Sequence, residues 1–439
     1  MKLQATFNAV IDQHLAADGR LVLGLSGGMD SRVLLELMVN YARSRSADCL
    51  AVHVHHGLSL NADQWAQRCE AWCRSLGVPL VVERVIVDVH GQSLEESARQ
   101  VRYAALTQHI RPHDLLLTGH HADDQLETLL LALKRGSGPK GLAAMAEVMD
   151  FSAGRLIRPL LSATRADIEQ YARQRQLEWN EDESNQDPRF ERNFLRHHIV
   201  PQLTKRWPHI QQASLRTAQL CYEQEALLDE LLTEPFKQAL HTDLSLSIEA
   251  LTNVSDKVRT RLLRMWFERN GVRMPTREQL KLVWLQVALA QADANPQLQL
   301  ECAQVRRFQG RLHLVRRWQS LEGWCQSLMV DHPLQLPDDL GVIHLHSTQS
   351  GKLSLAALTQ AELRVVFEPQ GLSAHPAERG HSRKLKKLFQ EYGVPSWLRR
   401  RTPIILCGDQ VVAVGDLFID RHFTGQDCEL VWDKLQLIV

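Results

Sequence analysis

The chain has 439 residues, with 51 Lys and Arg against 51 Asp and Glu, 44% hydrophobic and 23% charged. At roughly 150 residues per domain this length predicts about three domains, and the composition is that of an ordinary globular protein, which excludes a single small module, a disordered or collagenous chain and a uniformly basic nucleic-acid coat. No apolar run approaches the ~20 residues of a membrane span, residues 1–15 lack the apolar centre of a signal peptide, and eight scattered cysteines include no CxxC pair, so the expectation is a cytoplasmic protein with reduced thiols, no membrane partner and no zinc ribbon.

In chain order, RLVLGL (20–25) is a short apolar run that ends in SGGMDS, and SRVLLELMVNYARSR then carries apolar residues at helical spacing. This is a strand, a glycine-rich turn and a helix. CLAVHVHHG reads as a second strand, LNADQWAQRCEAWCRSLG as a helix and VPLVVERVIV as a third strand. A further helix, SLEESARQVRYAALTQHI, opens on a Ser93 to Glu96 capping box, and DLLLTG is the fourth strand. Four βα units in succession predict an α/β fold built on a doubly wound parallel sheet, with ligand sites at the carboxyl ends of its strands. Cys69 and Cys73 lie four apart on one helix face, a spacing for buried packing rather than metal ligation.

After about residue 155 the pattern becomes helical, with a long stretch from Arg189 to about Leu240 and a linker expected near 205–225. RRFQGRLHLVRRW (306–318) reads as a hairpin turning at Gln309-Gly310, and residues 340–439 contain short runs separated by turns. The expected organisation is a catalytic domain over 1–215, a mainly helical domain over 216–320 and a small mixed α+β domain over 321–439. The net charge of zero conceals a dipole: residues 257–281 hold eight basic side chains against two acidic ones, residues 375–401 do the same, and the remainder must carry −12. Two readings fit, a basic working face for a polyanion or solvated helix surfaces.

The turn Ser26-Gly27-Gly28-Met29-Asp30-Ser31 sits where a strand hands over to a helix, so backbone N–H groups and a positive helix end converge on one point, which suits an anion. Asp30 is out of place there unless it binds a metal that bridges phosphates. No GxxxxGK[ST] is present, which leaves a Walker-type NTPase unsupported. Gly136-x-Gly138-x-x-Gly141 matches GxGxxG, but the helical LETLLLALK precedes it where a dinucleotide fold requires a strand. That loop reads either as a helix C-cap or as a phosphate contact. The fourth strand runs into GHHADDQLET, where His120, Asp124 and Glu127 share a helix face at the same sheet edge. In WNEDESNQDPRFERNFLRHH, Arg192 and Arg196 are four apart, a spacing that serves equally for gripping phosphate or for a solvated helix.

Taken together, SGGMDS, HVHHGLS, GHHADDQLET, KRGSG, RPLL, DESN…RNFLRHHIVP and GHSRKLKKLFQEYGVPSWLRRRTPIILCGD resemble the bacterial tRNA(Ile)-lysidine synthetases. These belong to the PP-loop, or N-type, ATP pyrophosphatases, with an adenine nucleotide alpha hydrolase-like fold. The likeness implies that ATP adenylates C2 of the wobble cytidine in the CAU anticodon of a minor isoleucine tRNA, and that the ε-amine of free lysine then displaces AMP. It implies that Ser26, Gly27, Gly28, Met29, Asp30 and Ser31 hold ATP, with Asp30 on Mg2+, and that no prosthetic group is needed. It further implies that His120, Asp124, Glu127 and Arg192 serve the chemistry, and that Arg196, Arg383, Lys384, Lys386 and Lys387 bind tRNA. Glu183 departs from the Pro or Thr that the family often places in its DxSN turn.

Lysine's ammonium, with a pKa of about 10.4, must lose a proton before it attacks; Asp124 and Glu127 are both candidates for the base. A tRNA thiolase of the same fold is the alternative enzyme. It needs an accessible sulfur carrier, for which Cys49, Cys69 and Cys73 are badly placed in strand or helix interiors. A non-catalytic RNA-binding descendant would not retain Asp30, Asp124 and Glu127.

Overall fold

A computed structural model describes residues 2–88, 94–183, 187–291 and 294–434, and the chain divides into two compact units, residues 1–230 and 231–439. Ser93, the start of the expected capping box, lies outside the described residues, as do Ser184 and Asn185 of the DESN stretch.

The first unit begins with α1 (Lys2–His14), β1 (Leu21–Gly24), α2 (Met29–Arg45), β2 (Cys49–His55), α3 (Ala62–Leu76), β3 (Leu80–Arg84), α4 (Leu94–Thr107), β4 (Leu115–Leu117) and α5 (Ala122–Lys134). It continues through α6 (Pro139–Leu142), β5 (Val148–Phe151), β6 (Gly154–Ile157) and α7 (Arg165–Gln174). One sheet takes all six strands in the order β3-β2-β1-β4-β6-β5, parallel except for β5. Helices cover both faces, so the strands read as continuous apolar runs. Leu21 and Leu23 face a core shared with Phe7, Ile11 and Leu34, whereas Val22 packs with Val52, Leu106 and Leu116 on the other side.

Chain order leaves β1 toward β2 on one side and joins β1 to β4 on the other, so the switch point of this sheet lies between β1 and β4. Ligand crevices of open α/β sheets form at that point, beyond the strands' carboxyl ends. SGGMDS leaves β1 there and GHHADD leaves β4.

The hairpin β5–β6 goes beyond the four strands expected. Its strands have four residues each, too few for a clear period, and its place depends on a close approach. A Cβ on Gly154 would lie 2.4 Å from Asp114 O, and Arg155 N–H donates to that same oxygen at 3.0 Å.

The unit ends in α8 (Glu191–Phe194), a π-helical turn over Leu195–Ile199, α9 (Val200–Arg206) and the part of α10 (Ile210–Ala239) up to Glu230. Most of the linker expected at 205–225 is therefore helix, because the apolar spacing from Ile210 onward continues without a breaker until Pro235.

In the second unit, the first basic segment forms the helices Asp256–Arg269 and Arg277–Leu282, whose apolar sides enclose Trp266, Phe267 and Leu280. They pack with a four-stranded sheet that includes the expected hairpin, Ala303–Phe308 with Arg311–Arg316. Gln309 and Gly310 turn it with φ of +47° and +72°, the pair of left-handed residues that a two-residue hairpin prefers. The remainder is mostly β: a five-stranded antiparallel sheet from Cys325–Ser327 to Phe418–Ile419, and a three-stranded one made of Leu334–Gln335, Val342–Ser347 and Cys428–Asp433.

Candidate active site

Gly27 adopts φ +89°, and a Cβ there would fall 2.6 Å from Asn180 Nδ2 and 3.2 Å from Cys69 Sγ. Only glycine satisfies both the conformation and the space. Ser31 Oγ accepts the Gly27 N–H at 3.0 Å and lies 3.0 Å from both Gly28 O and Ser26 Oγ, closing the turn on itself. Gly28 precedes α2 without a side-chain cap, so the positive end of that helix is left for an anion. Met29 is buried in the core and offers the turn its backbone alone. Asn180 holds the turn from outside: its N–H donates to Gly27 O at 2.9 Å and its Oδ1 accepts from Arg68 at 3.2 Å. Its Nδ2 is buried with no partner among the described residues, a donor that a phosphate oxygen would satisfy.

Asp30 points across the crevice. Its Oδ1 is buried and also lacks a partner among the described residues, while Oδ2 lies 3.8 Å from His121 Nε2 and 3.9 Å from Arg165 Nη1. Burial pushes the carboxyl pKa up, against the pull of His121 and Arg165. An uncompensated carboxylate oxygen beside a phosphate turn fits a hard divalent cation.

The β4 turn reaches the same place because Gly119 has no side chain; a Cβ on it would stand 3.1 Å from the Asp30 carbonyl carbon and 3.2 Å from Ser31 N. His121 then caps α5. Its Nδ1 accepts the Asp124 N–H at 3.3 Å, and the Asp124 carboxylate accepts the His121 N–H at 3.1 Å. With Nδ1 accepting, the proton of a neutral His121 is assigned to Nε2, which faces Asp124 Oδ2 at 3.4 Å and Asp30 Oδ2 at 3.8 Å.

Three residues beyond Asp124, Glu127 is fully buried. Arg192 Nε donates to its Oε2 at 2.9 Å, and Arg196 Nε donates to Oε1 at 2.8 Å. Arg196 Nη2 bridges to Asp124 Oδ1 at 2.9 Å, and Arg192 Nη2 also donates to Thr128 Oγ1 at 3.0 Å. Burial works against the charge of Asp124, but His121 and the Arg192 and Arg196 guanidiniums outweigh it and hold the carboxyl below its ordinary pKa. Burial pushes His120 down to about 3, so its ring is neutral at physiological pH; its Nδ1 lies 3.0 Å from Thr118 Oγ1. The two arginines come from α8 and the π-helical turn after it, an irregularity common at functional sites.

Of the residues singled out in the sequence, the structure thus gathers Ser26–Ser31, His120, Asp124, Glu127, Arg192 and Arg196 at one crevice. Arg196, expected on tRNA, has its guanidinium in this carboxylate cluster. His121, Arg165 and Asn180 were not singled out. His121 stands inside the quoted motif, Arg165 lies within a Thr164 to Asp167 capping box, and Asn180, inside the quoted WNEDESN stretch, carries no sequence signal of its own. The 134–141 loop takes the C-cap reading, with Gly136 at φ +66° and its N–H on Leu133 O at 2.9 Å. In the second unit Lys384, Lys386 and Lys387 are exposed and Leu385, Leu388 and Phe389 are buried beneath them, while Arg383 pairs with Glu391. Cys69 and Cys73 are buried, with thiols pushed up by burial to about 12 and about 11, and such inert groups cannot carry sulfur.

The PP-loop domain family matches residues 1–203, the TilS substrate binding domain residues 246–313 and the TilS substrate C-terminal domain residues 363–437. A tRNA(Ile)-lysidine synthase of Vibrio vulnificus (strain CMCP6) is 58% identical over 434 residues, covering 98% of this chain and 99% of the relative. One from Photobacterium profundum is 46% identical over 432 residues with the same coverage. Among solved structures, a U34-tRNA thiolase from Methanococcus maripaludis is matched at 15% identity and a TM-score of 0.43, over 51% of this chain and 78% of that one.

The charge cluster sets an expectation for stability. Removing one partner of a buried ion pair costs about 3–5 kcal/mol because the other charge stays buried. Arg196→Met should therefore lower unfolding stability by about 3 kcal/mol, and adding Glu127→Gln should recover part of that loss. Urea unfolding of the two single variants and the double variant tests this; losses that simply add would show that the pair is not coupled.

Proposed function

The chain belongs to the tRNA(Ile)-lysidine synthases, a family of ATP-using, tRNA-modifying ligases, and from that premise we propose how its own residues divide the work. The observation that carries the reading is the convergence of the SGGMDS turn and the Asp124–Glu127–Arg192–Arg196 cluster at one switch point, joined by His121 between Asp30 and Asp124. A phosphate site and a site for a cation thus share one crevice, as a reaction between ATP, a nucleobase and an amine requires.

The turn Ser26–Ser31 and Asn180 Nδ2 hold the ATP phosphates, and Asp30 Oδ1 would hold the Mg2+ that accompanies them. That ion neutralises phosphate charge when bound. O2 of the wobble cytidine in the CAU anticodon of an isoleucine tRNA attacks the α-phosphate and pyrophosphate leaves. The ε-amine of free lysine then adds to C2, and the C–O bond to AMP breaks to give lysidine. Cytosine O2 is a poor leaving group until it becomes a phosphate ester, which is why the first step is needed.

Glu127 is sealed between two guanidiniums and acts as a positioning charge. Asp124 keeps 11% of its side chain exposed where Glu127 has none, so it is the carboxylate the amine can reach and the one that receives its proton. His120, held neutral, adds no positive charge to repel the incoming ammonium. Arg192 faces the charge that develops on the departing phosphate. Lys384, Lys386 and Lys387 meet the tRNA backbone. Among the described residues no helix is long and apolar enough to cross a membrane, and all eight cysteines are free thiols; both support a place in the reducing cytoplasm, where tRNA and lysine are found.

Asp30→Ala should lower turnover by orders of magnitude while leaving tRNA affinity nearly unchanged; lysidine formation at the normal rate, read by nucleoside mass spectrometry, would show that the turn has another role. Asp124→Asn should release about one equivalent of pyrophosphate and stall, whereas Glu127→Gln should raise the lysine KM. Equal lysine dependence in the two variants would remove this division of labour. Changing Lys384, Lys386 and Lys387 to Glu should weaken tRNA binding and flatten its salt dependence by about 0.7–0.9 log units per lost phosphate contact. Filter binding across a salt series reads the slope, and an unchanged slope would exclude these lysines from the interface.

A further inference from the structure

The strand Val342–Ser347 alternates buried Ile343 and Leu345 with His344 and His346, so the two imidazoles leave one face of the three-stranded sheet. Asp331 comes to that face from the chain ahead of Leu334–Gln335. Its N–H donates to Leu345 O at 2.7 Å, and it holds φ +61°, a left-handed conformation that aspartate tolerates better than most residues. Its carboxylate accepts from Ser347 N at 2.8 Å and from Ser347 Oγ at 2.7 Å, which sets its direction, and it lies 3.6 Å from His346 Nδ1. One donor atom from each of Asp331, His344 and His346 falls within 4.8 Å of the others. His344 Nε2 is buried without a hydrogen-bond partner among the described residues, which folded proteins seldom leave unexplained.

We propose that Asp331, His344 and His346 form a binding site for one divalent transition-metal ion of the zinc class. Two imidazoles and one carboxylate suit zinc and its neighbours, whereas magnesium and calcium take oxygen donors. With metal–ligand bonds of about 2.0–2.2 Å in a tetrahedron, donor atoms stand about 3.3–3.6 Å apart. The Asp331–His346 separation already has that value, and side-chain rotation at His344 closes the remainder from within 4.8 Å. Water takes the fourth position. Glu429, the register partner of His346 on the adjacent strand, adds a second carboxylate to the same face and keeps the local field negative. Asp331 and the two histidines come from different segments, so the ion ties the chain ahead of Leu334 to the central strand. It stabilises the C-terminal part of the chain and takes no part in the ligation chemistry. The site falls between residues 313 and 363, outside the matched substrate binding and C-terminal families.

The test uses the full-length protein, stripped with a chelator and titrated with ZnCl2 against a chromophoric zinc indicator. His346→Gln removes a ligand that is 59% exposed and leaves the core untouched; Asp331→Asn is the second variant. Zinc held elsewhere on the chain appears equally in all three proteins and cancels. The wild type should bind one equivalent more than either variant, or bind it about 10- to 100-fold tighter, and its thermal midpoint should rise with added zinc while theirs does not. Cobalt substitution should produce visible d–d bands of four-coordinate intensity in the wild type alone. Identical titrations and unshifted midpoints in all three proteins would mean that Asp331 and His346 form only an ion pair, and the proposal would fall.

Discussion

Two carboxylates within one turn of a buried helix are the constraint on which the rest of the catalytic unit depends. Glu127 has no access to water and Asp124 very little, and ionised groups are costly in such a place unless they are paired and hydrogen-bonded. The pairing arrives from far along the chain, where α8 and its π-helical continuation bring Arg192 and Arg196 onto α5. Those contacts hold this segment and the α9 that follows it against α5. The cluster that makes the site chemically useful is therefore also the contact that completes the unit around it.

The second requirement is close approach. Gly119 brings the turn after β4 within van der Waals contact of the turn after β1, Gly27 lets that first turn close against Asn180 and Cys69, and Gly154 lets β6 pair beside β4 at the opposite end of the strands. None of these glycines acts chemically. Each removes a Cβ that would hold neighbouring elements apart, and the approach at Gly119 sets the distance between Asp30, His121 and Asp124. His121 links the two halves: as the α5 cap it is fixed by backbone geometry, and the same cap directs its Nε2 toward both carboxylates. A single ring thus couples the Asp30 side of the crevice to the Asp124 side.

Local chemistry was legible in the sequence wherever a short stretch carried its own geometry. The strand, SGG turn and helix at residues 20–45 form as read because strand periodicity, turn chemistry and helical spacing need no distant partner. The turn at Gln309-Gly310 is local for the same reason, as is the alternation that buries Leu385, Leu388 and Phe389 beneath exposed lysines. Combined, the motifs were specific enough to identify the family.

Only the tertiary structure decided what depends on residues distant in sequence. Arg192 and Arg196 spaced four apart suit a phosphate grip or a solvated helix alike; packing against α5 turned them into partners of Glu127 and Asp124. Asn180 and Arg165 carry no local mark, because their roles come from lying beside Gly27 and Asp30. The β5–β6 hairpin was too short to show a period and forms because β4 offers it an edge. Sequence alone determined the fold class and the family, since periodicity, turn chemistry and motif spacing are local properties. The pairing of charges, the shifts in the pKa of His120 and Asp30 and the direction in which His121 points followed from burial and three-dimensional contact, which no local pattern encodes.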